Sequence, residues 1–253
     1  MRIALIGYGK MGRMIEAAAV GRGHSIVARI DPFAKDADSP DIASCAALSG
    51  AEVAVEFTKP DTALANIEAL AARGLPVVVG TTGWHASLDR AKSAVEKAST
   101  ALLWSSNYSL GVNLFYRIAE CAARLMDPFS EYDVGGWEAH HNKKADSPSG
   151  TAKALVERVL AEMTRKTVPV YETLEHRPPA PQELHFPSLR VGSVPGTHTL
   201  FFDSAADSIE LTHTARSREG FALGAVRAAE WLAGKRGVFT MDDVLADMLA
   251  PRT

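Results

Sequence analysis

Arg2-Ile3-Ala4-Leu5-Ile6-Gly7-Tyr8-Gly9-Lys10-Met11-Gly12 opens the chain with a short apolar run, a glycine-rich turn and the start of a helical pattern. Arg2–Ile6 reads as a buried strand, and a helix is predicted from about Lys10 to Val20. The turn between them is G-x-G-x-x-G. The next predicted strand, Ser25–Ile30, ends against an acidic residue, Asp31, 19 positions after Gly12. Strand, glycine turn, helix and acid in this order are the context in which the pattern binds a dinucleotide. Gly7 permits the tight turn, Gly9 lets backbone approach a pyrophosphate, and Gly12 lets helix and strand pack closely. The helix N-terminus offers N–H groups and a positive dipole end to phosphate. Asp31 can accept from a ribose 2′-OH. The competing reading is a plain glycine turn with a helix-capping Asp before Pro32.

Outward from this turn, short apolar runs continue to alternate with helical patterns. Val53–Phe57, Pro76–Val79 and Ala101–Trp104 are further strand candidates, with a helix over Thr62–Arg73. The alternation implies parallel βαβ units and a doubly wound α/β sheet. Ligands of such sheets sit beyond the carboxyl ends of the strands. Two loops fall there: Gly80-Thr81-Thr82-Gly83, suited to the nicotinamide end of a cofactor, and Ser105-Ser106-Asn107-Tyr108, which fits a cofactor contact or an ordinary polar loop equally well. After Asn107 the rhythm changes. Leu114, Ile118, Cys121 and Leu125 recur at helical spacing, with Phe115, Ala122 and Met126 beside them. A strand over Val134–His140 and a helix from Gly150 to Thr164 follow. Residues 167–187, with five prolines, suggest an irregular excursion. Leu189–Val194, Thr199–Asp203 and Ile209–Thr214 suggest antiparallel strands, and Ala222–Ala233 and Asp242–Leu249 return to helix.

Composition narrows the classes. The 253 residues carry 27 Lys and Arg against 30 Asp and Glu, a net charge of −3, which argues against general nucleic-acid binding. Hydrophobic residues are 47% and charged residues 23%, ordinary globular values that exclude disorder. No uninterrupted apolar run exceeds about four residues, whereas a membrane helix needs about 20. Two cysteines, Cys45 and Cys121, fit free thiols in a reducing compartment. With no apolar signal segment before Gly7, a soluble cytoplasmic protein is expected.

The most unusual run is Glu138-Ala139-His140-His141-Asn142-Lys143-Lys144-Ala145-Asp146-Ser147-Pro148-Ser149-Gly150-Thr151. Two histidines and two lysines leave a strand and run into a helix start. Adjacent strand residues face opposite ways, so His140 and His141 are expected to differ in role. Histidine exchanges protons near neutrality, and a lysine beside another cation can act as an acid. Ser149 suits the N-cap, and Gly150 and Thr151 then open a helix end able to take a carboxylate. The ensemble suggests a small-anion pocket beside proton donors. A His-His metal site lacks a well-spaced third ligand, and Lys143 suits a solvated face.

The same run closely resembles the E-x-H-H-x-x-K-x-D-x-P-S-G-T-A signature of the 4-hydroxy-tetrahydrodipicolinate reductases, also called dihydrodipicolinate reductases. The resemblance extends over nearly the whole chain, through the glycine motif, Val55–Thr58, Val79–Gly83, Ser106–Asn113 and Leu211–Arg218. It implies NAD(P)H-dependent reduction of a small cyclic imine dicarboxylate in diaminopimelate and lysine biosynthesis. By position it implies His140 as catalytic proton donor/acceptor and Lys144 as proton donor. His141, Gly150 and Thr151 become substrate contacts. Gly7, Tyr8, Gly9, Lys10, Met11, Gly12, Asp31, Gly80, Thr81, Thr82, Ser105, Ser106, Asn107 and Tyr108 become cofactor contacts, with no metal. It further implies a Rossmann-type domain over 1–107 completed by C-terminal helices in 221–253. An α+β substrate and oligomerisation domain with a mixed sheet would span 108–220, in a homotetramer. Many members have a seven-residue glycine turn and an Arg after the acid. Here the turn has six residues and Pro32 follows Asp31, so NADH is the favoured cofactor, although Lys10, Arg13 and Lys35 could still meet a 2′-phosphate. Other nicotinamide dehydrogenases and a non-catalytic dinucleotide sensor are the competing classes. A semialdehyde dehydrogenase needs a cysteine nucleophile, and neither thiol has the context for one.

Overall fold

The computed structural model describes residues 1–250 and divides the chain into two compact units. One comprises Met1–Leu110 with the described residues from Glu219 on, the other Gly111–Arg218.

The first unit is built on β1 (Arg2–Ile6), α1 (Lys10–Gly21), β2 (Ser25–Ile30), β3 (Val53–Glu56), α2 (Pro60–Ala72), β4 (Val77–Val79), α3 (Leu88–Lys97) and β5 (Ala101–Trp104). Every strand pairs parallel to its neighbour, and the sheet runs β2-β1-β3-β4-β5 before a sixth strand described below. Strands buried on both faces require continuous apolar runs. Ile3–Leu5 and Val77–Val79 meet this requirement, with no measurable exposure. The chain leaves β1 to one side for β2 and returns to the other for β3. This strand-order reversal opens a crevice beyond the carboxyl ends of β1 and β3. Pro60 occupies the first turn of α2, where its missing N–H costs nothing, so this helix begins two residues before the predicted Thr62.

The second unit contains α4 (Leu110–Met126, whose first residue belongs to the other unit), β6 (Asp133–His140), α5 (Gly150–Ala161), β7 (Val168–Val170), β8 (Glu183–His185), β9 (Ser188–Arg190), β10 (Thr197–Asp203) and β11 (Ser208–Thr214). Its main sheet runs β11-β10-β6-β9. β10 is antiparallel to both β6 and β11, but β9 is parallel to β6, not antiparallel as expected from the sequence. The stretch read as irregular contributes the parallel pair β7-β8. On α4 the stripe Leu114, Ile118 and Leu125 is exposed. The buried face is Val112, Phe115, Tyr116, Ala119 and Ala123, packed on Leu155, Val159 and Phe202. The helix carries two apolar stripes, and periodicity alone does not say which one faces the core.

The chain then returns to the first unit through α6 (Glu219–Leu232), β12 (Gly237–Phe239) and α7 (Met241–Leu249). β12 adds to β5 as the sixth parallel strand, one the sequence pattern did not reveal. α6 lies so close to the loop after β5 that a Cβ on Gly224 would sit 1.7 Å from the Tyr108 carbonyl oxygen. No helix among the described residues is long and apolar enough to cross a membrane.

Candidate active site

Each unit holds a constellation of candidate functional side chains. In the first, the glycine turn follows from sterics. Gly7 has φ +91°, and a Cβ there would meet the Phe57 carbonyl at 2.1 Å; one on Gly12 would meet the Gly7 carbonyl at 2.3 Å. A Cβ on Gly9 would have no neighbour within 4 Å, so backbone is open to a ligand at the start of α1. A cleft of about 310 Å³ is lined by Gly9, Lys10, Met11, Gly80, Thr81 and Thr82. A second of about 580 Å³ contains Gly7, Asp31, Phe33 and Lys59, and the two share Gly9, Phe57 and Thr58.

Asp31 is anchored by main chain. Tyr8 N–H donates to its Oδ2 at 2.8 Å, and Phe33 and Ala34 N–H donate to its Oδ1 at 2.8 and 3.0 Å. Burial pushes its carboxyl up, but these bonds outweigh the burial and hold it below the ordinary value. A carboxylate has about four acceptor sites, so Oδ2 retains one for a ribose hydroxyl. Arg13 is committed elsewhere: its guanidinium grips Asp36 through two bonds of 2.6 Å and lies over the Tyr8 ring.

Several of the other predicted contacts also bond within this unit. Tyr8 is buried, with its hydroxyl bonded to Glu16. Tyr108 is buried, and its hydroxyl donates to the carbonyls of Val79 and Leu103, bracing β4 against β5. Ser105 Oγ caps Asn107 within its loop, and Ser106 is exposed. Glu56 is buried at the end of β3, bonded by Thr58 and Asn66, while Thr58 N–H donates to Thr81 Oγ1 at 2.7 Å. Burial pushes the Glu56 carboxyl up.

In the second unit, register assembles the site. The ladder places His213, His198, Glu138 and Ser188 on one rung across β11, β10, β6 and β9, with Arg190 opposite His140 one step on. Glu138 and His140, two apart on β6, share a face. Glu138 is fully buried. Its Oε1 accepts from Ser188 Oγ at 2.7 Å, Ser149 N–H at 2.9 Å and Arg190 Nη2 at 3.1 Å. Its Oε2 accepts from Ser149 Oγ and faces His140 Nδ1 at 3.2 Å and His198 Nε2 at 3.4 Å. Burial alone would push this carboxyl up. The two histidines and the Ser149 and Ser188 hydroxyls override it and hold the group far below the carboxylate range.

Ser149 is also the N-cap of α5, accepting from Ala152 N–H at 3.1 Å. Gly150, exposed, and Thr151, half-buried, open that helix. Lys144 Nζ lies 2.8 Å from Asp146 Oδ1, and the Asp146 carbonyl accepts from Arg190 at 2.7 Å. His141 is half-buried just past the end of β6, and Lys143 is exposed. The structure therefore brings His140, Lys144, Gly150 and Thr151 to one end of β6 and α5. Glu138, His140 and His198 also gather three potential metal donors. Both Glu138 oxygens already accept from hydroxyl, amide or guanidinium donors, and the Arg190 charge beside them disfavours a cation.

Family profiles described as dihydrodipicolinate reductase, N-terminus, and dihydrodipicolinate reductase, C-terminus, match residues 1–108 and 111–245. The chain belongs to the dihydrodipicolinate reductase family. The 4-hydroxy-tetrahydrodipicolinate reductase of Christiangramia forsetii is 41% identical over 249 residues, covering 98% of this chain and 99% of the relative. That of Archaeoglobus fulgidus is 38% identical over 260 residues, covering 97% and 100%. The dipicolinate-bound dihydrodipicolinate reductase from Paenisporosarcina sp. TG-14 shares the fold, with a TM-score of 0.78 at 21% identity over 95% of this chain and 97% of that one.

Within this reductase fold, Glu138, Ser188, Arg190 and His198 are the residues that sequence reasoning passed over as site members. The first signal available was an acid in the apolar stretch leading to His140. The other three lie about 50 to 60 positions away and meet Glu138 only through sheet register.

His198 and Glu138 both have depressed folded-state pKa values, His198 through burial first and then the nearby His140 and Lys144 charges. Protons therefore bind the unfolded chain more readily, and stability falls on acidification. The His198 contribution is complete above its ordinary value of 6.5 and is lost as pH drops below it; that of Glu138 follows only below 4.5. Calorimetric melting across this range should show Tm falling with pH, and His198→Gln should flatten the upper part of the curve. A His198→Gln curve as steep as wild type just below neutrality contradicts this assignment.

Proposed function

We propose that this chain reduces 4-hydroxy-tetrahydrodipicolinate to tetrahydrodipicolinate with NADH or NADPH, NADH favoured, in diaminopimelate and lysine biosynthesis. Family membership supplies the reaction class. The observation that carries the reading is the gathering of His140, Lys144 and the capped start of α5 around one end of β6. A helix N-terminus and an ammonium suit the carboxylates of a small cyclic dicarboxylate, and a histidine and a lysine suit proton delivery.

The first unit fits a dinucleotide, on three observations: the glycines that no side chain could replace, the open backbone at Gly9, and the ionised Asp31. Gly7–Gly12 would hold the pyrophosphate, Asp31 the ribose diol, and Gly80–Thr82 the nicotinamide end, with Ser105–Tyr108 supporting it. When bound, the reduced nicotinamide supplies a hydride to the unsaturated ring. Gly150 N–H, Thr151 and His141 orient the dicarboxylate. Lys144 exchanges its half-exposed partner Asp146 for a substrate carboxylate and, with His140, delivers the proton that accompanies loss of water. His140 presents Nε2, since Nδ1 is the buried nitrogen, against Glu138. We place the enzyme in the cytoplasm as a homotetramer formed through the second unit, a reading supported by the exposed stripe Leu114, Ile118 and Leu125.

Asp31 carries its charge where a 2′-phosphate would lie, and Arg13, the nearest guanidinium to the turn, is neutralised by Asp36. The ratio of kcat/KM values should favour NADH or be near unity, and Asp36→Ala, by freeing Arg13, should move it toward NADPH. A tenfold or larger wild-type advantage for NADPH contradicts this basis of selectivity.

Steady-state oxidation of reduced nicotinamide by the cyclic imine dicarboxylate tests the reaction itself. His140→Gln and Lys144→Ala should each lose about 10²–10⁴-fold in kcat, with KM also raised for Lys144→Ala. Nicotinamide affinity should be unchanged in both. His141→Gln should act mainly on KM, Thr151→Val should weaken inhibition by pyridine-2,6-dicarboxylate, and Lys143→Ala should resemble wild type. Full kcat in Lys144→Ala, or equal damage from Lys143→Ala, contradicts the division of roles along this run.

A further inference from the structure

Every component of the proposed proton-transfer and anion-binding site is tied to a residue with no direct place in that chemistry. Glu138 lies at the middle of the four-stranded sheet, with His198 and Ser188 as its direct cross-strand partners. It is fully buried and has no path to substrate of its own. Yet its contacts reach all three parts of the site. Oε2 faces His140 Nδ1 at 3.2 Å. Both oxygens accept from Ser149, one from its N–H and one from its hydroxyl, and Ser149 in turn caps α5, where Gly150 and Thr151 begin. Oε1 accepts from Arg190, whose same nitrogen holds the Asp146 carbonyl, in the loop where Asp146 pairs with Lys144.

The other side of His140 is equally constrained. Gly196, with φ +151°, packs against the imidazole so closely that a Cβ would lie 3.0 Å from Nε2. The ring is held between this backbone and the carboxylate, edge-on to His198 with centroids 5.2 Å apart. The charged and titratable groups around it are Glu138 on its own strand, His198 on β10, Arg190 on β9, and Lys144 and Asp146 in the following loop. Glu138 Oε2 lies 3.2 Å from Nδ1, an ion-pair contact without an aligned hydrogen bond, and its charge favours a proton on that nitrogen. A neutral imidazole with a carboxylate on one nitrogen carries its proton there, which fixes the tautomer and leaves the other nitrogen's role defined.

We infer that Glu138 is a positioning residue for the reaction: a single buried carboxylate that fixes the ring and tautomer of His140 and, through Ser149 and Arg190, locks the carboxylate-binding start of α5 and the Lys144 loop in register with it. The inference rests on the proposed function for its kinetic consequence and on geometry alone for its spectroscopic one. A buried ion pair of this kind adds little net stability over an apolar replacement, so its value here is geometric.

Glu138→Gln keeps the volume and removes the charge. It should lower kcat at least tenfold and also raise KM for the dicarboxylate and weaken pyridine-2,6-dicarboxylate binding, while leaving nicotinamide affinity unchanged. This combined loss separates it from His140→Gln, which should act on kcat alone. Nitrogen NMR of the histidine rings gives a readout independent of activity, and its wild-type arm needs no variant. In the wild-type protein the neutral His140 ring should carry its proton on Nδ1, and in Glu138→Gln it should shift to a mixture of tautomers. A wild-type His140 protonated only on Nε2, or a folded Glu138→Gln that loses Tm but keeps kcat, KM and tautomer, overturns the inference. Failure of wild-type enzyme to reduce the cyclic imine with the Nδ1–H tautomer present would instead count against the proposed function.

Discussion

The Glu138 carboxylate is the point on which the second unit's chemistry depends. Taking a carboxylate out of water costs several kcal/mol unless donors replace the lost hydration. Here Ser149, Ser188 and Arg190 supply hydrogen bonds from outside Glu138's own strand: Ser149 stands at the start of α5, the other two on β9. The carboxylate can be satisfied only if β6, β9 and α5 are all in their native register. Slipping β9 by one residue would turn Ser188 and Arg190 to other partners and leave a buried charge unpaired. The cost of burial is thereby converted into specificity of arrangement at the end of β6 where His140 emerges.

The first unit solves its problem with backbone instead of charge. Phosphate binding needs main chain close to the ligand, which demands positions where a Cβ has no room or would stand in the way. Gly7 and Gly12 are of the first kind and Gly9 of the second. The single carboxylate in this turn, Asp31, is held by three main-chain N–H groups, so the acid and the turn define each other's position. Beneath them Tyr108 braces β4 and β5, and α6 closes over the Tyr108 carbonyl through Gly224.

The sequence made local features legible and left non-local ones obscure. β1, the glycine turn, α1 and β2 are readable because their sterics and periodicity lie within about thirty residues. Ser149 as the cap of α5 is equally local, and its hydroxyl does accept from Ala152 N–H. The three-residue strand β12 carries too little pattern to be seen, and it is ordered by pairing with β5. The direction of β9 depends on which strand it joins, and the exposed stripe of α4 looks as apolar as its buried face. The Glu138 cluster is the extreme case. His198, Ser188 and Arg190 acquire meaning only once the sheet order is known. Tyr108 likewise bonds through its hydroxyl to two strand carbonyls that only the sheet order brings together.

Under the proposed function, His140, Lys144 and the start of α5 bind the dicarboxylate as one site within the second unit. Titrating pyridine-2,6-dicarboxylate into isotope-labelled protein saturated with NADH, and following amide and imidazole resonances, tests this most directly. The expected result is that the Gly150 and Thr151 amides and the His140 ring shift together with a single dissociation constant, while the Gly9 amide responds to NADH and not to the dicarboxylate. Dicarboxylate shifts confined to Gly9 and Gly80, with His140 and Gly150 unmoved, would contradict it.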